Sequence, residues 1–173
     1  LTIVAQASKF DIIQNEIRDI DNYKYLCNEQ LASKVKALLA LSLLQKSNGT
    51  AFDDKQKIEN LIRQLNKNKN SDGLWGWWGN SNDNYWISLH VIEALIQAEQ
   101  MGYQVSLNRK AIADRLISYL DFTDDHNSKL NILLILKTID AVAPYEKKLN
   151  EIEKKNKLTF PTWLKLCEIK QKC

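Results

Sequence analysis

Apolar residues recur along this chain at helical rather than strand intervals, and segments of two kinds alternate. Between Phe10 and Ile20 the residues Ile13, Ile17 and Ile20 mark one apolar stripe, and Asp21-Asn22 ends it. From Glu29 to about Lys46 the pattern turns apolar all round through Ala37-Leu38-Leu39-Ala40-Leu41, which predicts a helix buried on every side. Gly49 is placed to end it, Asp53-Asp54 to cap the next helix, and Ile58, Leu61, Ile62 and Leu65 then repeat at i, i+3, i+4 and i+7. Tyr85 to Ala98 is again nearly apolar all round and closes at Gly102. Asn108 opens an amphipathic segment through Ile112, Leu116, Ile117 and Leu120. Leu130 to Val142 returns to the buried kind. Pro144 suits the first turn of a following helix through Leu149 and Ile152, and Pro161 starts a last one toward Cys167.

The reading is therefore all-α, with about eight helices. Alternating inner and outer helices are what stacked helical hairpins require, because each hairpin buries its apolar face only against its neighbours. That predicts an α/α toroid of stacked helical hairpins, with a plain helical bundle as the simpler alternative.

Composition narrows the classes. With 173 residues, 45% of them hydrophobic and 26% charged, the chain is long enough for one domain with a core. The net charge of +3 is spread over several Lys-rich segments and does not gather into a stripe, which argues against nucleic acid as a partner. No apolar run is long enough for a membrane span. The start at Leu1 suggests residues 1–173 are a fragment of a larger multidomain protein. Two distant histidines and scattered carboxylates give no metal-ligand spacing, and no cofactor motif is visible.

The chemistry gathers at Tyr23-Lys24-Tyr25-Leu26-Cys27-Asn28-Glu29-Gln30. Side chains at i and i+3 share a face of a helical turn, so the sulfur of Cys27 and the carboxamide carbon of Gln30 can meet. Displacement of the amide nitrogen as ammonia would join them in an internal thioester. Its thiolate leaves far more readily than an amide nitrogen, because a thiol is acidic, with an ordinary pKa of about 8.5.

Cys27-Asn28-Glu29-Gln30 resembles the Cys-x-Glu-Gln signature of the alpha-2-macroglobulin and complement thioester proteins. Asp72-Gly73-Leu74-Trp75-Gly76-Trp77-Trp78, followed by Tyr85-Trp86-Ile87-Ser88-Leu89-His90-Val91-Ile92, is similar to the tryptophan turn and following helix of the bacterial members. One departure is Leu26, where the family usually has Gly. The resemblance implies a thioester-containing domain of a bacterial alpha-2-macroglobulin-like protease inhibitor, extracytoplasmic, in the periplasm or cell envelope and serving defence. It implies a closed ring of more helices than the eight or so here, hence an incomplete ring, and a single-turnover trap rather than an enzyme. The resemblance implies that a protease would cleave a bait segment elsewhere in the parent, that the thioester would then be exposed, and that an amine of the protease would take the acyl group of Gln30.

Other residues follow from that resemblance. Tyr23, Tyr25, Trp75, Trp77, Trp78, Tyr85 and Trp86 are candidates to shield the acyl group from water, although core and loop packing is the ordinary role of such a cluster. His126, in Asp124-Asp125-His126-Asn127, lies roughly where some relatives carry a catalytic histidine; otherwise it is a loop residue near a helix cap. His90 shares a polar stripe with Glu93 and Gln97. Cys167 and Cys173 read as free thiols. Two other classes stay open: a noncovalent helical scaffold without the thioester, and a toroid-type enzyme using carboxylates such as those of Asp121-Phe122-Thr123-Asp124-Asp125, for which helix capping is a sufficient account.

Overall fold

The computed structural model describes residues 9–79, 81–139, 142–143, 145–154 and 158–171; Pro144 and Cys173, singled out above, lie outside them. Among the described residues the chain is all-helical: α1 (Lys9–Asn22), α2 (Asn28–Ser47), α3 (Lys55–Lys67), α4 (Tyr85–Gln100), α5 (Arg109–Phe122), α6 (His126–Thr138), α7 (Tyr145–Glu153) and α8 (Phe160–Gln171). It forms two compact units, residues 1–106 and 107–173.

In the first unit α2 is central, packed against α1, α3 and α4. Leu31, Val35, Leu38 and Leu39 of α2 are buried, as are Ile58, Leu61, Ile62 and Leu65 of α3 and Val91, Ile92, Leu95 and Ala98 of α4. The i, i+3, i+4, i+7 stripe of α3 is thus its buried face. The expectation that α2 is buried on every side fails in its last turns, where Leu43 is exposed. Two glycines end helices as expected: Gly49 (φ 68) after α2 and Gly102 (φ 88) after α4 adopt the left-handed conformation that side chains disfavour. Asp54 occupies the position before α3, but no hydrogen bond from its side chain caps that helix.

In the second unit α6 packs against α5, α7 and α8. Asn108 caps α5 by accepting from the Ala111 N–H. Helix α6 begins at His126, four residues before the expected Leu130, because Asp125 accepts from the Ser128 N–H at 2.7 Å and so nucleates the turn earlier. Among the described residues no helix is long and apolar enough to cross a membrane.

Candidate functional site

The site is built at the N-terminus of α2. Residues 23–27, outside any helix, form a strap between α1 and α2, and Cys27 ends it as the N-cap residue with an extended backbone, φ −70 and ψ 165. Gln30, three residues on, folds back: its Oε1 accepts from the Cys27 backbone N–H at 3.2 Å. The Cys27 side chain faces the Gln30 backbone N–H in return, the reciprocal arrangement of a capping box. Sulfur and carboxamide therefore share one side of the turn. Cys27 is 4% exposed, and neither it nor Cys167 is in a disulfide.

Asn28 of the signature fixes this turn to the rest of the unit, a role that the motif's spacing does not reveal. Its side chain is fully buried. Its backbone N–H donates to Trp77 O at 2.9 Å, its Nδ2 donates to Gly76 O at 3.0 Å, and its Oδ1 accepts from Asn68 Nδ2 at 2.7 Å. One amide thus ties together the strap, the end of α3 and the tryptophan loop.

The loop that receives those bonds is itself held from both ends. Asn70 Oδ1 accepts from the N–H groups of Asp72 and Leu74, both at 3.0 Å, and Gly73 turns the chain with φ 78. Trp75 is fully buried, and its Nε1 donates to Leu65 O at 2.8 Å. The Trp75 backbone is paired with α4: its N–H donates to Ser88 Oγ at 3.0 Å, and its carbonyl accepts from Ser88 Oγ at 2.8 Å and from the Asn84 N–H at 2.9 Å. At Gly76 a Cβ would stand 2.2 Å from both Asn82 O and Ser81 Oγ, so no side chain fits there.

The other aromatic candidates are more exposed than Trp75. Core packing holds for Trp75 alone; Tyr23, Tyr25, Trp77, Trp78 and Trp86 are each at least half exposed, and Tyr85 is half-buried. Tyr23 and Tyr25 contact each other with ring centroids 5.8 Å apart, as do Tyr85 and Trp86 at 5.7 Å. His126 belongs to the second unit, where it opens α6; its Nδ1 is buried with no hydrogen-bond partner among the described residues. Asp125 is occupied as the cap of that helix, and its bond to Ser128 holds its carboxyl below the ordinary carboxylate range.

His90 is not simply solvated. Its Nε2 lies 3.0 Å from Ser33 Oγ, and its Nδ1 lies 3.1 Å from Lys36 Nζ. Because an ammonium only donates, Nδ1 must accept and the proton sits on Nε2. Ser33 Oγ in turn donates to Glu29 Oε1 at 3.0 Å, and Lys36 also pairs with Glu93. The donors thus run one way, from Lys36 through His90 and Ser33 to the Glu29 carboxylate, across the seam between α4 and α2. Burial, then the Lys36 charge, lowers the His90 pKa from its ordinary 6.5, outweighing Glu29 and Glu93, which act to raise it.

No family model matches the sequence. The chain is 28% identical over 117 residues to alpha-2-macroglobulin of Escherichia coli (strain K12), an alignment taking in 62% of this chain and 7% of that protein. The native-conformation cryo-EM reconstruction of E. coli alpha-2-macroglobulin matches with a TM-score of 0.71 at 19% identity, over 92% of this chain and 11% of that one. The crystal structure of native E. coli alpha-2-macroglobulin from domain MG7 to the C-terminus matches with a TM-score of 0.71 at 21% identity, over 92% of this chain and 28% of that one. The chain thus spans a small part of the length of these relatives, and it shares their fold.

Proposed function

We propose, since this chain is alpha-2-macroglobulin-like, that Cys27 and Gln30 close an internal thioester and that the chain is the thioester-bearing part of a larger protease trap. The observation that carries this reading is the capping-box turn, in which the Gln30 carboxamide folds back on the N-cap residue whose sulfur is buried. In closure the Cys27 sulfur bonds to Gln30 Cδ, the bond from Cδ to Nε2 breaks, and the thiol proton leaves with the nitrogen as ammonia. In transfer an amine attacks Cδ, the bond to sulfur breaks, and the proton leaving the nitrogen ends on the thiolate. Each chain reacts once, so the outcome is covalent capture of an attacking protease rather than turnover. In this reading the protein works outside the cytoplasm and other domains of the same chain supply the trigger, which the similarity to bacterial alpha-2-macroglobulin supports.

A noncovalent scaffold is the second reading, because a capping box also accounts for the Cys27–Gln30 pairing without any bond between the side chains. Intact mass of the native protein, combined with a thiol count, separates the two. The thioester gives a mass one ammonia below that of the sequence and a masked Cys27, and methylamine adds at Gln30 while releasing that thiol. A full sequence mass with all thiols reactive leaves only the scaffold.

A further inference from the structure

We infer that Gln30 and Lys34 form a latent isopeptide site, kept open by a latch in which the Lys34 ammonium is held by the strap. Lys34 lies in the middle of α2 yet is only 8% exposed. Its Nζ donates to Asp21 O at 2.6 Å and to Tyr23 O at 2.8 Å, carbonyls at the end of α1 and the start of the strap. Carbonyls at a helix C-terminus have no partner within the helix, so a lysine there is well placed. The Asp21 side chain is paired in turn with Lys57 of α3, so two lysines clamp this short segment.

Lys34 is also four residues after Gln30, on the same face of α2. Side chains in a helix lean toward its N-terminus, which carries the long Lys34 side chain back over the turn that holds Gln30. An amide joining side chains at i and i+4 spans one helical turn without breaking it. Nothing in that geometry opposes the bond. What opposes it is the latch: while Nζ is an ammonium donating to two carbonyls, it has no lone pair with which to attack.

The inference rests on the thioester reading of Gln30. When the strap lets go, the Lys34 ammonium is free to give one proton to solvent; the resulting amine attacks Gln30 Cδ, the bond to the Cys27 sulfur breaks, and the second proton lost from nitrogen ends on the thiolate. The product is a Gln30–Lys34 amide beside a free thiol. An amine tethered one turn away outcompetes any amine in solution. Disturbance of the strap without a target at hand therefore quenches the electrophile, and a spent chain cannot acylate bystanders.

The test compares the 173-residue chain with K57M, which loosens the strap, and with K34Q/K57M. Mass, thiol count, methylamine incorporation and tryptic mapping are read on each. The unsubstituted chain is expected to show the ammonia deficit with Cys27 masked. K57M is expected to keep the deficit, expose one thiol, resist trypsin at Lys34 and take up methylamine about tenfold less than K34Q/K57M. Should K57M not fold, the unsubstituted chain in sub-denaturing urea gives the same readouts. A K57M chain that stays reactive to methylamine, or that loses its thioester by gaining water at the rate of K34Q/K57M, overturns the latch. A fresh chain with the deficit, a free Cys27 and a Gln30–Lys34 link supports the site but sinks the stored thioester. A fresh chain without any deficit sinks both.

Discussion

Asn28 Nδ2 donates to the carbonyl of Gly76 at 3.0 Å, joining residues 48 positions apart in the sequence. The second residue of a four-residue motif, which varies freely in chemical type as far as the motif is concerned, is thus what seats that motif against the tryptophan loop. Asn28→Ala would leave the buried Gly76 O without its donor and the half-buried Asn68 Nδ2 without its acceptor, a cost on the order of 1–3 kcal/mol. Urea unfolding should show this as a lower midpoint, and Cys27 should react faster with a thiol reagent as the strap loosens.

Gly76→Ala tests the loop from the other side. A methyl group 2.2 Å from Asn82 O and Ser81 Oγ cannot be accommodated unless the backbone moves. The expected loss is about 1–3 kcal/mol, as for other overpacked sites. The same substitution should loosen the bonds that Gly76 O and Trp77 O make to Asn28, so hydrogen exchange at the Asn28 amide should speed up more than exchange within α3.

Trp75 should account for the blue-shifted part of the protein's fluorescence, since Trp77, Trp78, Trp86 and Trp163 are all at least half exposed. Trp75→Phe should move the native emission toward that of the unfolded chain. It also removes the indole donor to Leu65 O, for a loss of about 1–2 kcal/mol. Trp78→Phe, at an exposed position, should leave the midpoint almost unchanged.

Stability should fall on mild acidification because of His90. Its folded-state pKa lies below the ordinary 6.5, so in the interval between the two values the unfolded chain binds more protons than the folded one. The contribution is therefore complete above 6.5 and is lost as pH falls from there toward the folded-state value. Protonated, Nδ1 can no longer accept from Lys36, and a second positive charge faces that ammonium across the α2–α4 seam. Denaturant midpoints at pH 7.5 and 5.5 should differ in the unsubstituted chain, with the lower midpoint at pH 5.5. His90→Gln should reduce the difference.

What the sequence disclosed and what it hid follow from the range over which each feature is decided. The stripe of Ile58, Leu61, Ile62 and Leu65 is a local repeat, and it is the buried face of α3. Gly49, Gly102 and Asn108 are local stop and start signals, and each acts where it was placed. The Cys27–Gln30 turn was legible for the same reason, being contained in four residues. Asn28 was not, because its side-chain partners Asn68 and Gly76 come from other elements. His90 reads from the sequence as part of a polar stripe with Glu93 and Gln97, either solvated or hydrogen-bonded, with no partner named. Its actual partners, Ser33 and Lys36, become visible only once α2 and α4 are known to be neighbours. The early start of α6 turned on one cap, Asp125, which the apolar periodicity beginning at Leu130 cannot reveal.

The tie from Asn28 to Gly76 and Trp77 also sets an order of events. A ribosome must deliver the chain through the tryptophan loop, and Ser88 must arrive to pin Trp75, before the cysteine turn has anything to rest on. The seating of the cysteine turn is consequently complete only when residues as far as Ser88 have folded, and a nascent chain stalled before residue 76 holds Cys27 without that support.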